Sequence, residues 1–268
     1  MSFPSALLLA CPALCAGCVL HSSAGAPATP QRPTFSSNTA TTAYATWEVE
    51  GGAYRNDEGA IDVPLGLKYG AGPRTEVFAG VSPYRRVKAA GEEDSGVGDV
   101  VVGVRHRTFD GAGDGDGPST AFQLAAKVPT GDRADLLSSA ELDLFGAWIL
   151  DGARERLAWT AFYQLGLLGD PDEGGVVVEH GLALAAGHPL GHDDLSAFAE
   201  LAAVVHPEWD DRQVFTTLGL ALAPRRDLVL DAFVVLGLSA DAPDAALGIG
   251  FTHNLGGGRA HPGGALEP

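Results

Sequence analysis

No stretch of this chain approaches the 18 or more consecutive apolar residues of a membrane helix. Helical crossing of a membrane is thereby excluded. Crossing by strands is not, because a barrel satisfies its backbone groups between strands and needs only alternation. Methionine is nearly absent, at one residue in 268, and no cysteine follows residue 18. The exported chain thus has no internal cysteine pair, and no disulfide supports its fold. Positive charge is scarce: 17 Lys and Arg stand against 34 Asp and Glu, a net charge of −17. Nucleic acid is a poor partner for such a surface, since phosphate binding needs basic residues.

Catalytic signatures are missing too. The chain contains no phosphate-binding loop, dinucleotide fingerprint, nucleophile elbow or His-Glu-x-x-His motif. Ser138, Ser139 and Ser196 have no His at a convincing spacing. His188 and His192 are separated by Pro189 and Gly191, which prevent a helix from aligning them on a metal. The run Asp110-Gly111-Ala112-Gly113-Asp114-Gly115-Asp116-Gly117 lacks the bidentate Glu of a calcium loop and reads as an acidic turn. The expectation is a protein that is not an enzyme and carries no cofactor or metal.

What is present is a beat of about ten residues from Trp47 to Leu255, apolar alternating with polar or small, punctuated by Gly, Asp, Pro and Arg. In the clearest case Leu157, Trp159, Ala161, Tyr163, Leu165 and Leu167 interleave with Ala158, Thr160, Phe162, Gln164 and Gly166. A period of two gives each strand one apolar and one mixed face. Twelve strands are expected, near 46–54, 60–69, 75–87, 97–108, 119–129, 139–150, 156–168, 176–187, 195–206, 212–223, 227–239 and 244–255. The Ala-rich stretches 182–186 and 197–205 could be helices by propensity, but flanking Gly and Pro argue for strands. The fold class is all-β, a twelve-stranded antiparallel up-and-down transmembrane barrel.

Around this barrel, 46–255, three further segments are expected. Residues 1–26 form a signal peptide, with Cys11, Cys15 and Cys18 inside its apolar core rather than around a metal. Two processing sites compete there: a lipobox-like Cys15-Ala16-Gly17-Cys18 that would acylate Cys18, and a small-x-small site at Ala24-Gly25-Ala26. Residues 27–45, rich in Pro, Ser, Thr and Ala, read as a disordered linker, and 256–268 as a flexible tail.

Parity sorts the charges. If the apolar face meets lipid, the lumen receives Glu48, Glu50, Lys68, Glu76, Asp99, Arg105, Arg107, Lys127, Glu141, Asp143, Gln164, Glu179, Glu200 and Asp231. A charge on the lipid face would cost up to roughly 2–4 kcal/mol, so the segregation carries information. Arg105, Arg107 and Lys127 are expected to meet Glu141 and Asp143 on the inner wall. His180 falls on the lipid side, which suggests a register slip of one. The same parity places Trp47, Tyr69, Trp148, Trp159 and Phe251 on the lipid face near the periplasmic strand ends, where an aromatic girdle belongs. Outer loops are acidic, as in Glu92-Glu93-Asp94, whereas the inner connection 110–119 is long for a periplasmic turn.

Several motifs, in this order, resemble the outer-membrane β-barrel transporters grouped with meta-pathway phenol degradation proteins. They are Ile61-Asp62-Val63-Pro64-Leu65-Gly66-Leu67-Lys68-Tyr69-Gly70, Arg74-Thr75-Glu76-Val77-Phe78-Ala79-Gly80-Val81, the segment from Gly96 to Arg105, and Ala126-Lys127-Val128-Pro129-Thr130-Gly131-Asp132. The resemblance implies a porin-like barrel in the outer membrane of a Gram-negative bacterium, with membrane lipids and the outer-membrane assembly machinery as partners. It also implies passage or uptake of small, hydrophobic or aromatic molecules. The chain departs from such barrels in its last strand, which has thirteen residues after Leu255. Two other readings stay open: a periplasmic or lipid-anchored soluble β-barrel that binds a ligand, and a plugged structural barrel with acidic surface loops.

Overall fold

Alternation builds the architecture. The computed structural model describes residues 25–256, apart from 90–91, 112, 115–116, 132–136 and 172–173. The expected signal segment with Cys18, except for residues 25–26, and the tail beyond Gly256 lie outside the described residues. The strands are β1 Trp47–Asn56, β2 Ile61–Gly72, β3 Thr75–Ala89, β4 Glu92–Gly96, β5 Val100–Phe109, β6 Ser119–Val128 and β7 Asp143–Arg154. They continue as β8 Leu157–Gly169, β9 Val176–Pro189, β10 Leu195–His206, β11 Asp211–Arg225, β12 Leu228–Gly237 and β13 Ala245–Gly256. The stretches that could have been Ala-rich helices are strands β9 and β10. Among the described residues no helix is long and apolar enough to cross a membrane.

Every ladder is antiparallel, and β1 pairs with β13 on one side and β2 on the other, from Trp47↔Gly256 to Asn56↔Ala246. Twelve strands thus close into a barrel. Short β4 stands apart, pairing with the far extension of β3 from Arg85↔Gly96 to Ala89↔Glu92. Trp47 and Gly256 share what is here called the terminal end of the barrel; the connections 57–60, 170–175 and 238–244 lie at the far end.

The barrel is inside out relative to a water-soluble protein. Leu184 and Ile249 are each 65% exposed on the outer face, while Arg105 and Lys127 are 1% and 2% exposed within. The largest fully buried side chains also include Glu48, Glu76, Glu200, Gln213 and His206. No water-borne fold gains from that distribution, since exposed Leu and buried charge both cost free energy in water. In hydrocarbon the outer face is satisfied, so lipid is the solvent for it. His180 belongs to this outer face without any slip of register: it takes part in a 3.0 Å hydrogen bond with the Tyr163 hydroxyl, also on the outside.

The expectation of a disordered linker is corrected. Residues 30–39 are all buried, and they lie inside the lumen. A segment poor in large apolar residues cannot bury itself, which is why it reads as disordered. Here the polar lumen supplies the partners that water would otherwise provide.

Candidate functional site

The occupied lumen is the candidate site, and its wall carboxylates hold the N-terminal segment by its main chain. Glu48 accepts from the Thr29 N–H at 2.8 Å, Glu50 from Gln31 at 2.6 Å and Glu76 from Thr42 at 2.7 Å. Glu200 accepts from both Phe35 and Ser36, at 2.7 and 2.8 Å, and from the Ser36 hydroxyl. Asp151 accepts from the Thr39 N–H at 2.5 Å. The path follows from these contacts. The segment enters at the terminal end, where the Ala28 N–H meets the Arg226 carbonyl at 2.9 Å. It climbs along β1, crosses to β8–β11, and returns past β7, β5 and β3 to Gly70 at the terminal end of β2.

Phe35 is the apolar pin at the crossing. Its ring packs edge-on against Phe162 at 5.6 Å and Phe215 at 6.2 Å, centroid to centroid, within a cluster that includes Ile149 and Ala202. The remaining grip is polar. Gln31 donates to the Asn38 side chain and the Ala40 carbonyl, each at 3.0 Å, bridging the outgoing and returning limbs.

Three buried cations of the wall offset the carboxylates. Lys68 donates to Glu48 at 2.5 Å, Glu50 at 2.9 Å and the Thr29 carbonyl at 2.7 Å. Arg105 pairs with Glu76 at 3.2 Å and donates to Gln123 at 2.6 and 3.1 Å and to the Ala40 carbonyl at 3.3 Å. Lys127 meets Asp143 at 2.6 Å, Asp99 at 3.6 Å and the Ser139 hydroxyl at 2.7 Å. Gln164 donates to Glu179 at 3.0 Å, and Glu179 faces His206 at 3.0 Å. Asp231 lies 3.6 Å from Arg32 of the segment.

The expected cluster of Arg105, Arg107, Lys127, Glu141 and Asp143 does not assemble as one group. Only Lys127 and Asp143 meet. Arg105 turns to Glu76 because the β3–β5 register sets these two directly opposite. Arg107 pairs with Asp110 at 2.9 Å near the terminal end, half-buried, and Glu141 packs over Gly169 at the far end. Asp151 lies just past the expected strand end at 150; β7 runs on to Arg154, and the parity that Asp151 shares with Asp143 points it inward.

On the outer face Trp47 packs against Tyr69 with centroids 4.7 Å apart and planes tilted by 40° at the terminal end, and Trp159 covers Gly152 close by. Phe251 covers Gly51 at the middle of β13, inward of the expected girdle. Trp148 is displaced from the expected girdle: it lies midway along β7, stacked on Phe122 at 6.4 Å, because the strand extends beyond its expected end.

Between the segment and the far half of the wall lies a cavity of about 150 Å³, bordered by Arg32, Tyr54, Asp62, Pro64, Arg85 and Phe145.

Among solved structures, the chain is similar to an outer-membrane channel from Pseudomonas putida F1, a COG4313 protein. The TM-score is 0.63 at 14% identity, covering 81% of this chain and 97% of that one. It is also similar to the NanC porin, with a TM-score of 0.55 at 10% identity, covering 78% of this chain and all of the other. No family model and no curated protein matches the sequence. The shared fold is that of outer-membrane β-barrels. With its apolar belt, it places this chain in the outer membrane of a Gram-negative bacterium.

Proposed function

We propose that this protein is an outer-membrane channel for small molecules whose resting state is closed by its own N-terminal segment. The observation that carries the reading is the burial of residues 30–39 within a lumen that grips them by main-chain hydrogen bonds. Such bonds hold the segment by its backbone without locking it covalently. Each is worth about 1.5–3 kcal/mol when the acceptor is charged, and a solute or partner that favours the open lumen shifts the population by its differential affinity for the two states. Structural neighbours described as a channel and a porin support the same direction. The terminal end is assigned to the periplasm, as in bacterial barrels that begin and end there, so the segment enters from inside.

Passage of small hydrophobic or aromatic molecules, which the sequence resemblance implies, draws support from one flank of the cavity, at Pro64, Val81 and Phe145. No catalytic role is assigned to any wall residue.

Single-channel recording tests the reading. The full chain should show low, flickering current in planar bilayers, and a chain lacking residues 30–42 should show a stable current several-fold larger. Equal currents, or none from either, would favour the plugged structural barrel.

A further inference from the structure

The Arg32 side chain of the plug reaches a shaped polar recess in the wall. On the inner face Asp231 of β12, Gly250 of β13 and Gly52 of β1 form a row across three strands, since Gly250 pairs with both of the others. The Arg32 guanidinium lies over the two glycines. A β-carbon at Gly52 or Gly250 would overlap it, so the floor admits this flat group only because both positions lack a side chain. Its Nη1 donates to the Gly51 carbonyl at 2.6 Å and approaches the Ile249 carbonyl at 3.5 Å. The Asp231 carboxylate stands at 3.6 Å on one side, and its Oδ1 is buried without a hydrogen-bond partner. The Phe233 ring centroid is 5.9 Å from Cζ, within cation–π range.

A carboxylate, two carbonyls, an aromatic face and a glycine floor together favour a planar cation over a neutral group of the same shape. The cavity is bordered by Arg32 itself and by Tyr54, which packs against the cluster that holds Phe233, so a solute in the cavity meets Arg32 first and reaches the recess as Arg32 leaves it. The alternative, that Arg32 is only an anchor for the segment, explains the ion pair and the paired glycines but not the buried Oδ1 left without a hydrogen-bond partner.

We propose that this recess is a binding site for guanidinium-bearing solutes, occupied at rest by Arg32 as an internal stand-in, and that such a solute competes with Arg32 and loosens the segment. The proposal deepens the channel reading by naming its solute class, and entry of the solute rests on that reading; binding does not.

The test uses the full chain with Arg32→Ala, whose missing atoms correspond to N-ethylguanidinium. Calorimetric titration of the detergent-solubilised variant should show N-ethylguanidinium binding about tenfold or more tightly than neutral N-ethylurea. Adding Asp231→Asn should remove the difference. Should Arg32→Ala not assemble, the unmodified chain serves: millimolar N-ethylguanidinium, but not N-ethylurea, should accelerate amide exchange in residues 30–39. Equal affinity for the two probes, or equal exchange with both, overturns the site. Tight guanidinium binding in a barrel that passes no current after removal of residues 30–42 would instead sink the channel reading and leave the site standing.

Discussion

The Phe35 main-chain N–H and the Glu200 carboxylate are 165 residues apart in the chain and 2.7 Å apart in the lumen. That contact is repeated in kind at Glu48, Glu50, Glu76 and Asp151, so the wall binds the segment mainly by its backbone. The acids accept what any extended peptide offers, and the Phe35 ring adds the apolar fit.

Glu200→Gln should weaken the closed state. The amide nitrogen that replaces one oxygen donates rather than accepts, so at least one of the bonds from Phe35 and Ser36 is lost. A loss of about 1.5–3 kcal/mol shortens closed dwell times by roughly ten- to hundredfold. Unchanged dwell times in single-channel records would mean that Glu200 does not hold the segment.

Lys68→Met should destabilise the barrel itself. Glu48 and Glu50 would then share a buried region without their common cation. Breaking a buried pair costs about 3–5 kcal/mol, which should appear as a lower temperature for the shift in gel migration on heating. Adding Glu48→Gln and Glu50→Gln should recover much of the loss. No recovery would place the role of Lys68 in packing rather than charge.

Leu182→Arg probes the outer solvent. Leu182 is exposed near the middle of β9, where a cation should cost about 2–4 kcal/mol in a bilayer. Leu190→Arg, in the terminal-end turn, should cost about 0–1 kcal/mol. Equal costs, measured by folding into lipid vesicles, would contradict a hydrocarbon environment.

The long inner connection carries a pH dependence. Hydrogen bonds from Arg74, and then from the Asp110 N–H, hold the Asp114 carboxyl below the usual range. A carboxyl whose folded value is depressed favours the folded bracket above its unfolded value. That contribution is lost as pH falls through the lowered folded one. The protection of the Gly113 amide, whose N–H donates to the Asp110 carbonyl, should therefore fall in acid when exchange is referred to the intrinsic rate at each pH. Asp114→Asn should flatten the profile; an unchanged profile would remove the bracket from the account.

Strand number and facing were legible because they need only the pleat. Alternation along β8 alone separates Tyr163, Leu165 and Leu167 from Phe162, Gln164 and Leu168. Pairing was less legible, since Arg105 meets Glu76 through a register that no single strand encodes. Trp148 was misplaced for a related reason: its height depends on where β7 ends, and that strand runs to Arg154. The N-terminal segment was read as disordered because composition arguments take water as the only alternative to a self-made core. Thr29, Gln31, Ser36, Thr39 and Thr42 find their partners on strands that the sequence places far away.

Amide hydrogen exchange of residues 30–42, in the full chain reconstituted into nanodiscs, separates a seated plug from a free leader. Protection at Gln31, Phe35 and Thr39 comparable to that of the barrel strands is the predicted result. Exchange at the rate of an unstructured peptide would contradict it, and with it the closed channel.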